Sequence, residues 1–180
     1  MQAKELIETR RSIRKFKDTA VTTELIKEVI LLASNAPSWK NTQTPGYIAV
    51  TDPAKKTEIA ENATMTFSHN KDIINGAPAL IVLTTEDGIC GYEPDGKPTT
   101  SKGTHWQSFD AGIAAQTLCL AAHELGLGTV ILGIYQEDKV QQILGLPENK
   151  KVSALIPIGF PAEAPEKRKR KTVDELLQIV

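Results

Sequence analysis

Residues 108–125 constrain this chain more than any other stretch. Ala111, Ile113, Ala114, Ala115, Leu118, Leu120, Ala121 and Ala122 occupy most of the circumference of a helix at that position. A helix that is apolar all round belongs in the middle of a fold, covered by other elements. Gly126 follows, where a left-handed C-terminal cap is favoured.

The flanking sequence supplies the cover. Residues 3–9 read as a short helix. Thr22 is placed to cap a second helix, and Glu24 suits the positive end of its dipole. Leu25, Ile26, Val29, Ile30 and Ala33 repeat there at helical spacing, with Pro37 as the terminator and residues 37–45 as a polar loop. Residues 47–50 read as a strand. Asp52-Pro53 pairs an N-cap with proline at the first helical position and opens a helix to about Asn62. Residues 79–84 are apolar at every position but the last, the pattern of a strand buried on both faces. Residues 129–135 read as a second buried strand interrupted by Gly133, residues 137–144 as a helix closed by Gly145, and residues 152–160 as a third strand. Between them, residues 86–100 carry Gly88, Gly91, Pro94, Gly96 and Pro98, which predicts a lid or a disordered excursion. Residues 172–179 form a short helix or an extended tail. Strands and helices mix without regular βαβ alternation, which predicts an α+β layer fold in one domain spanning residues 1–180.

Bulk properties exclude several functions. A sequence pI near 6.3 and 5% aromatic residues argue against nucleic-acid binding and base-stacking platforms. The apolar runs are too short to span a membrane. Cys90 and Cys119 match no disulfide framework or zinc spacing, so a reducing compartment is the default. The first residues lack the apolar run of a signal peptide, and a cytoplasmic protein is expected. His69, His105 and His123 share no metal spacing, and His123, on the core helix, reads as a satisfied structural group. No HExxH, GxSxG or Walker sequence appears.

Charge is distributed unevenly. Arg10, Arg11, Arg14, Lys15 and Lys17 form one cluster, and Lys167, Arg168, Lys169, Arg170 and Lys171 another: 10 of the 21 Lys and Arg in a chain of net charge −1. If the fold brings them together they can clamp a phosphate, for which arginine is well suited. Each cluster taken alone reads first as a solvated basic patch. The segment 37–43, Pro37-Ser38-Trp39-Lys40-Asn41-Thr42-Gln43, gathers short polar groups able to read a heterocycle edge, or is simply a capped turn. Gly126-Leu127-Gly128-Thr129, with Gly133 beyond, marks either close approach to a ligand or a helix cap with a bulge. It precedes a strand, so it is not a dinucleotide fingerprint.

In this order, Arg10-Arg11-Ser12-Ile13-Arg14-Lys15-Phe16, Ala36-Pro37-Ser38 with Asn41-Thr42-Gln43, Gly126-Leu127-Gly128-Thr129 with Gly133, and Arg168-Lys169-Arg170-Lys171 resemble the four motifs of the FMN-dependent nitroreductase family. Asp110-Ala111-Gly112 is similar to the start of that family's central helix. The resemblance covers nearly the whole chain. It implies a mixed, mainly antiparallel central sheet packed by helices, and an intertwined homodimer with FMN at the interface. Arg10, Ser12, Arg168 and Arg170 would hold the flavin phosphate, with Arg11 nearby. Arg14 would lie near N1 and O2 of the ring. Pro37, Ser38 and Asn41 would come from the partner subunit, Ile131, Leu132 and Gly133 would present backbone near N5, and Asn70 would touch the ring edge. The implied activity is hydride transfer from NAD(P)H to an oxidised small molecule: a nitroaromatic, a quinone or an activated alkene. No side chain is expected to serve as catalytic acid or nucleophile. A dehalogenase, a biosynthetic dehydrogenase, a non-enzymatic flavin carrier and a binder of acidic partners are the alternatives. Thr44-Pro45 replaces a Pro-aromatic pair often found in the family, Trp39 and Lys40 are bulky beside the expected pocket, and Leu132 stands where many members have glutamate or glycine. These departures flank the substrate side.

Overall fold

A computed structural model describes residues 2–65 and 67–180. Four strands form one antiparallel sheet in the order β1 (Gly46–Val50), β2 (Ala79–Glu86), β4 (Lys150–Gly159), β3 (Gly128–Thr129). Seven helices surround it: α1 (Ala3–Thr9), α2 (Thr23–Ala33), α3 (Pro53–Ala63), α4 (Ser68–Gly76), α5 (His105–Glu124), α6 (Glu137–Leu144) and α7 (Val173–Leu176).

The sheet is covered on both faces, which explains the uninterrupted apolar run of β2. Ala79, Ile81 and Leu83 point to the layer of α2 and α5, whereas Leu80 and Val82 point to the layer that holds Ile59 of α3, Ile73 and Ile74 of α4, and Val140 of α6. Full burial of Leu80, Ile81, Val82 and Leu83 contributes roughly 6–12 kcal/mol before entropic costs. A register shift between Leu83 and Thr84 leaves Ser153 unpaired in β4 and lets Ala154 face one layer while Val152 faces the other.

Local signals set several boundaries. Thr22 Oγ1 accepts from Leu25 N–H at 3.2 Å and opens α2. That helix stops at Ala33, before Pro37, because Ser34 Oγ and Asn35 Nδ2 donate to the Leu31 carbonyl at 2.8 and 3.1 Å and turn the chain away. Asp52 caps α3. Gly126 (φ +77°) and the Leu127 N–H bond to the Ala122 carbonyl (2.8 Å) close α5 in a Schellman arrangement. Small buried residues (Ala111, Ala114, Ala115, Ala121, Ala122) let α5 lie close to its neighbours. One strip of α5, including Phe109, Gly112 and Gln116, remains exposed, so this chain alone does not surround the helix.

Two expectations are corrected, and one helix is new. Residues 129–135 are not a buried strand: beyond Gly128–Thr129 the chain pairs only at Leu132, and Ile131 and Ile134 are exposed. Residues 86–100 are neither disordered nor a free lid; they fold into successive turns with Cys90 fully buried. Helix α4 gave no sequence signal. No helix among the described residues is long and apolar enough to cross a membrane.

Candidate functional site

The first basic cluster lies on an extended strip between two other segments. Ser12 bridges Thr129, and Ile13 N–H donates to the Thr129 carbonyl at 2.9 Å. On the other edge Lys17 N–H donates to Phe160, and Ala162 N–H to Lys15, at 2.8 and 2.9 Å. Ile13 is buried and packs where Gly128 has no side chain; a Cβ there would stand 2.6 Å from Ile13 Cγ1. Alternation along the extended strip then sends Ser12 and Arg14 to the face opposite Ile13. Arg14 Nη1 reaches back to the Ser12 carbonyl at 3.4 Å. Arg11 Nη1 donates to the Glu8 and Arg10 carbonyls at 2.7 and 2.9 Å, at the negative end of α1.

Among the described residues, none of the ten clustered cations forms an ion pair; the ion pairs involve Lys40, Lys55, Lys71 and Lys97. The field is felt nearby. Burial first, then Arg10 with a smaller part from Arg11, pushes His123 below the usual histidine range. His123 Nε2 lies 2.9 Å from Thr9 Oγ1, in keeping with a structural group tying α5 to α1. A cavity of about 390 Å³ opens here, lined by Arg10, Arg11, Cys119, His123, Glu163 and Pro165 among others.

The second basic cluster follows the strip's outer neighbour. The Glu163 carboxylate accepts from the Arg14 and Lys15 amides at 2.6 and 3.2 Å. Arg168 is five residues farther along, so its Cα lies within about 18 Å of this anchor. Arg168 and Arg170 are exposed, with Arg170 Nη1 3.5 Å from the Arg168 carbonyl. Among the described residues, no hydrogen bond or ion pair joins the tail cations to the strip of their own chain.

Beyond Thr129 the chain forms a ledge. Leu132 exchanges both backbone bonds with Leu155 at 2.8 and 3.2 Å and is buried. Its neighbours Ile131 and Gly133 therefore aim their amides away from the sheet, and both are exposed. Asn70, buried on α4, donates Nδ2 to the Ile134 carbonyl at 3.1 Å and pins the far end of the ledge.

Pro37, Ser38 and Asn41 lie elsewhere, on a 3-10 turn (Trp39–Asn41) packed on α5, and no hydrogen bond among the described residues joins them to the strip. Ser38 Oγ accepts from Gln43 N–H at 2.9 Å. Lys40, Asn41 and Gln43 have φ of 45°, 56° and 51°, each costing of order 1 kcal/mol or more in a non-glycine residue. Trp39 Nε1, Thr42 Oγ1 and Thr44 Oγ1 are buried with no hydrogen-bond partner among the described residues. Concentrated strain and unsatisfied polar atoms mark this turn as shaped for something other than stability.

Sequence reasoning gave no role to two anchors of the turn and the strip. Asp110, buried near the start of α5, accepts from Trp39 N–H at 2.8 Å and from Cys90 Sγ at 3.1 Å. Burial, then this carboxylate, pushes the Cys90 thiol up to about 12. The available signal was a lone carboxylate on an otherwise apolar helix face. Glu163, which aligns the strip, carried no signal at all.

The model of the Nitroreductase family matches residues 7–160. The chain belongs to the nitroreductase family. It is 31% identical over 169 residues to the NADPH-flavin oxidoreductase of Vibrio harveyi, covering 92% of this chain and 68% of that protein. It is 28% identical over 182 residues to the iodotyrosine deiodinase of Haliscomenobacter hydrossis, covering 88% and 79%. A protein of Desulfovibrio desulfuricans solved in complex with FMN superposes with a TM-score of 0.80 at 27% identity, over 98% of this chain and 95% of that one. The nitroreductase fold expected from the four motifs is thus the observed one.

Proposed function

We propose that this chain is an FMN-dependent oxidoreductase, active as a homodimer, that passes a hydride equivalent from NAD(P)H to an oxidised small molecule. The observation that carries the reading is the set of unpaired cations on the strip, held beside a ledge that offers outward-facing amides. That set suits an anionic phosphate at one end and a planar heterocycle at the other. The FMN-bound relative and the flavin oxidoreductase support the choice of FMN.

The residues divide the work. Arg10 and Ser12 hold the phosphate, with Arg11 beside them and Arg168 and Arg170 closing from the tail. Arg14 would bring a guanidinium to a bound flavin, and such a charge would favour the reduced, negatively charged state. Ile131 and Gly133 offer backbone donors; Leu132, expected to join them, cannot, because its N–H is taken by the Leu155 carbonyl, and it instead anchors the ledge, which Asn70 keeps in place through Ile134. Bound FMN supplies reversible two-electron chemistry, so none of these side chains needs to act as acid or nucleophile. Pro37, Ser38 and Asn41 face the ring of the partner subunit, consistent with their separation from the strip of their own chain. The exposed strip of α5 and the apolar tail, with Leu176 and Leu177 more than half exposed, give the second copy its contact surface.

The test is steady-state oxidation of NADH and NADPH by the FMN-loaded protein with a nitroaromatic or quinone acceptor. Acceptor-dependent oxidation with alternating-substrate kinetics is expected. A protein that holds FMN but oxidises neither donor with any acceptor is a flavin carrier, and the reading is wrong. The deiodinase relationship favours one other activity, reductive dehalogenation, which halide release from a halophenol would reveal.

A further inference from the structure

Among the described residues Asp110 is the only buried carboxylate, 2% exposed, and no cation pairs with it. A buried charge is costly unless hydrogen bonds satisfy it. Both bonds that do so reach one oxygen, Oδ2, and both come from outside α5. Trp39 N–H donates to it at 2.8 Å and Cys90 Sγ at 3.1 Å. A carboxylate retained in this position, far in sequence from the turn it holds, calls for a reason beyond the stability of its own helix.

The turn at residues 38–43 needs such an anchor. Its own bonds close it on itself: Asn41 N–H to the Ser38 carbonyl at 3.0 Å, Thr42 N–H to the Trp39 carbonyl at 2.8 Å, and Gln43 N–H to Ser38 Oγ at 2.9 Å. They do not fix it to the fold. Lys40, Asn41 and Gln43 are left-handed, so a freed turn has strain to release. Among the described residues, two hydrogen bonds tie it outward. One is the exposed Lys40–Glu93 pair, and exposed pairs contribute little. The other is the charge-assisted bond to Asp110, the stronger kind. Because the peptide unit is planar, holding the Trp39 N–H also fixes the Ser38 carbonyl.

We infer that Asp110 is a positioning residue for the flavin bound on the partner subunit's strip, acting in trans through this turn. The inference rests on the function proposed above, in which Pro37, Ser38 and Asn41 meet the partner's ring. Without the carboxylate the left-handed residues relax, and the apparent FMN affinity of the partner's site falls by the fraction of time the turn still has its binding shape. Asp110→Asn can turn its carbonyl oxygen to the same two donors, which keeps the bonds without the charge.

A mixed dimer separates this role from a structural one. Two differently tagged chains are co-expressed and purified through both tags. One carries Asp110→Ala. The other carries Arg10→Glu, which disables its strip and leaves its turn intact. FMN is titrated by the quenching of flavin fluorescence. The Asp110→Ala homodimer should bind FMN at least about tenfold more weakly than wild type, and the Asp110→Asn homodimer about threefold more weakly. The mixed dimer should regain one site of wild-type affinity, built from the strip of the Asp110→Ala chain and the turn of the other. Damage confined to the chain that carries Asp110→Ala would leave no such site. Wild-type affinity in the Asp110→Ala homodimer, or a mixed dimer without a tight site, overturns the inference. If Asp110→Ala does not fold, Asp110→Asn replaces it: a weakened homodimer with one restored site in the mixed dimer supports the inference, and any other result overturns it. A wild-type chain that takes up no FMN overturns the flavin reading and the inference with it. A wild-type chain that binds FMN, with no tight site in the mixed dimer, removes only the role of Asp110.

Discussion

Gly128→Ala tests whether the basic strip is held where the structure puts it. Gly128 does not need a positive φ, so the alanine backbone is unstrained and the steric contact is isolated. The new methyl would stand 2.6, 2.7 and 3.0 Å from Ile13 Cγ1, Cβ and Cγ2. Ile13 is buried, and its Cβ cannot rotate away, so the strip itself must shift. Overpacking costs about 1–3 kcal/mol, and loss of the Ile13–Thr129 hydrogen bond adds about 1 kcal/mol. The sum, about 2–4 kcal/mol, corresponds to a fall in Tm of roughly 4–16 °C for a chain of this size. The same shift carries Ser12 and Arg14 with it, so FMN affinity should fall beyond what the stability loss alone produces. Thermal unfolding by circular dichroism and FMN titration at a temperature where both proteins are folded measure the two effects. A variant within about 2 °C of wild type that binds FMN equally well would show that Ile13 does not seat against Gly128.

Other outcomes follow from the same contacts. Arg10→Ala combined with Arg170→Ala removes two charge-assisted phosphate contacts worth about 1.5–3 kcal/mol each, so FMN should dissociate at least about a hundredfold more readily; equilibrium dialysis reads this, and unchanged retention refutes their role. Asn70→Ala frees the Ile134 carbonyl and should lower stability by about 1 kcal/mol, a Tm fall of roughly 2–4 °C, checked by calorimetry. Cys90 is raised to about 12 and Tyr135 also to about 12. Both are acids kept neutral by the fold, so their contribution is intact at neutral pH and is lost as pH climbs above the unfolded values near 9 and 10 toward 12. Denaturant midpoints between about pH 8 and 11 should therefore decline, and Cys90→Ala should flatten the onset of that decline.

The parts legible in the sequence were those whose signal is local. The caps at Thr22 and Asp52 are short-range hydrogen-bond chemistry, and both are present. The apolar run of β2 was readable because two helical layers bury both its faces. Helix α4 was not, since Asn70, Ile73 and Ile74 are its buried residues and its stability comes from packing on α3 rather than from pattern. The ledge misled periodicity for a different reason: Ile131 and Ile134 are apolar yet exposed, which in the proposed function is where ring and partner meet. The excursion read as a lid or as disorder because Gly and Pro interrupt it repeatedly, but the buried Cys90–Asp110 bond and the close approach at Gly91 order it. In the candidate site, motif order singled out the segments that fold as the strip, the turn and the ledge. Asp110 and Glu163 were missed because each acts through backbone amides far away in sequence, which spacing cannot register.

The most direct measurement is parallel titration of the flavin-free protein with FMN and riboflavin, with the assembly state followed by light scattering. Guanidinium groups gathered around a phosphate predict saturation near one FMN per 19.6 kDa chain in a particle of twice that mass, with riboflavin bound at least about a hundredfold more weakly. Equal affinity for the two flavins, or no uptake of either, would contradict the account.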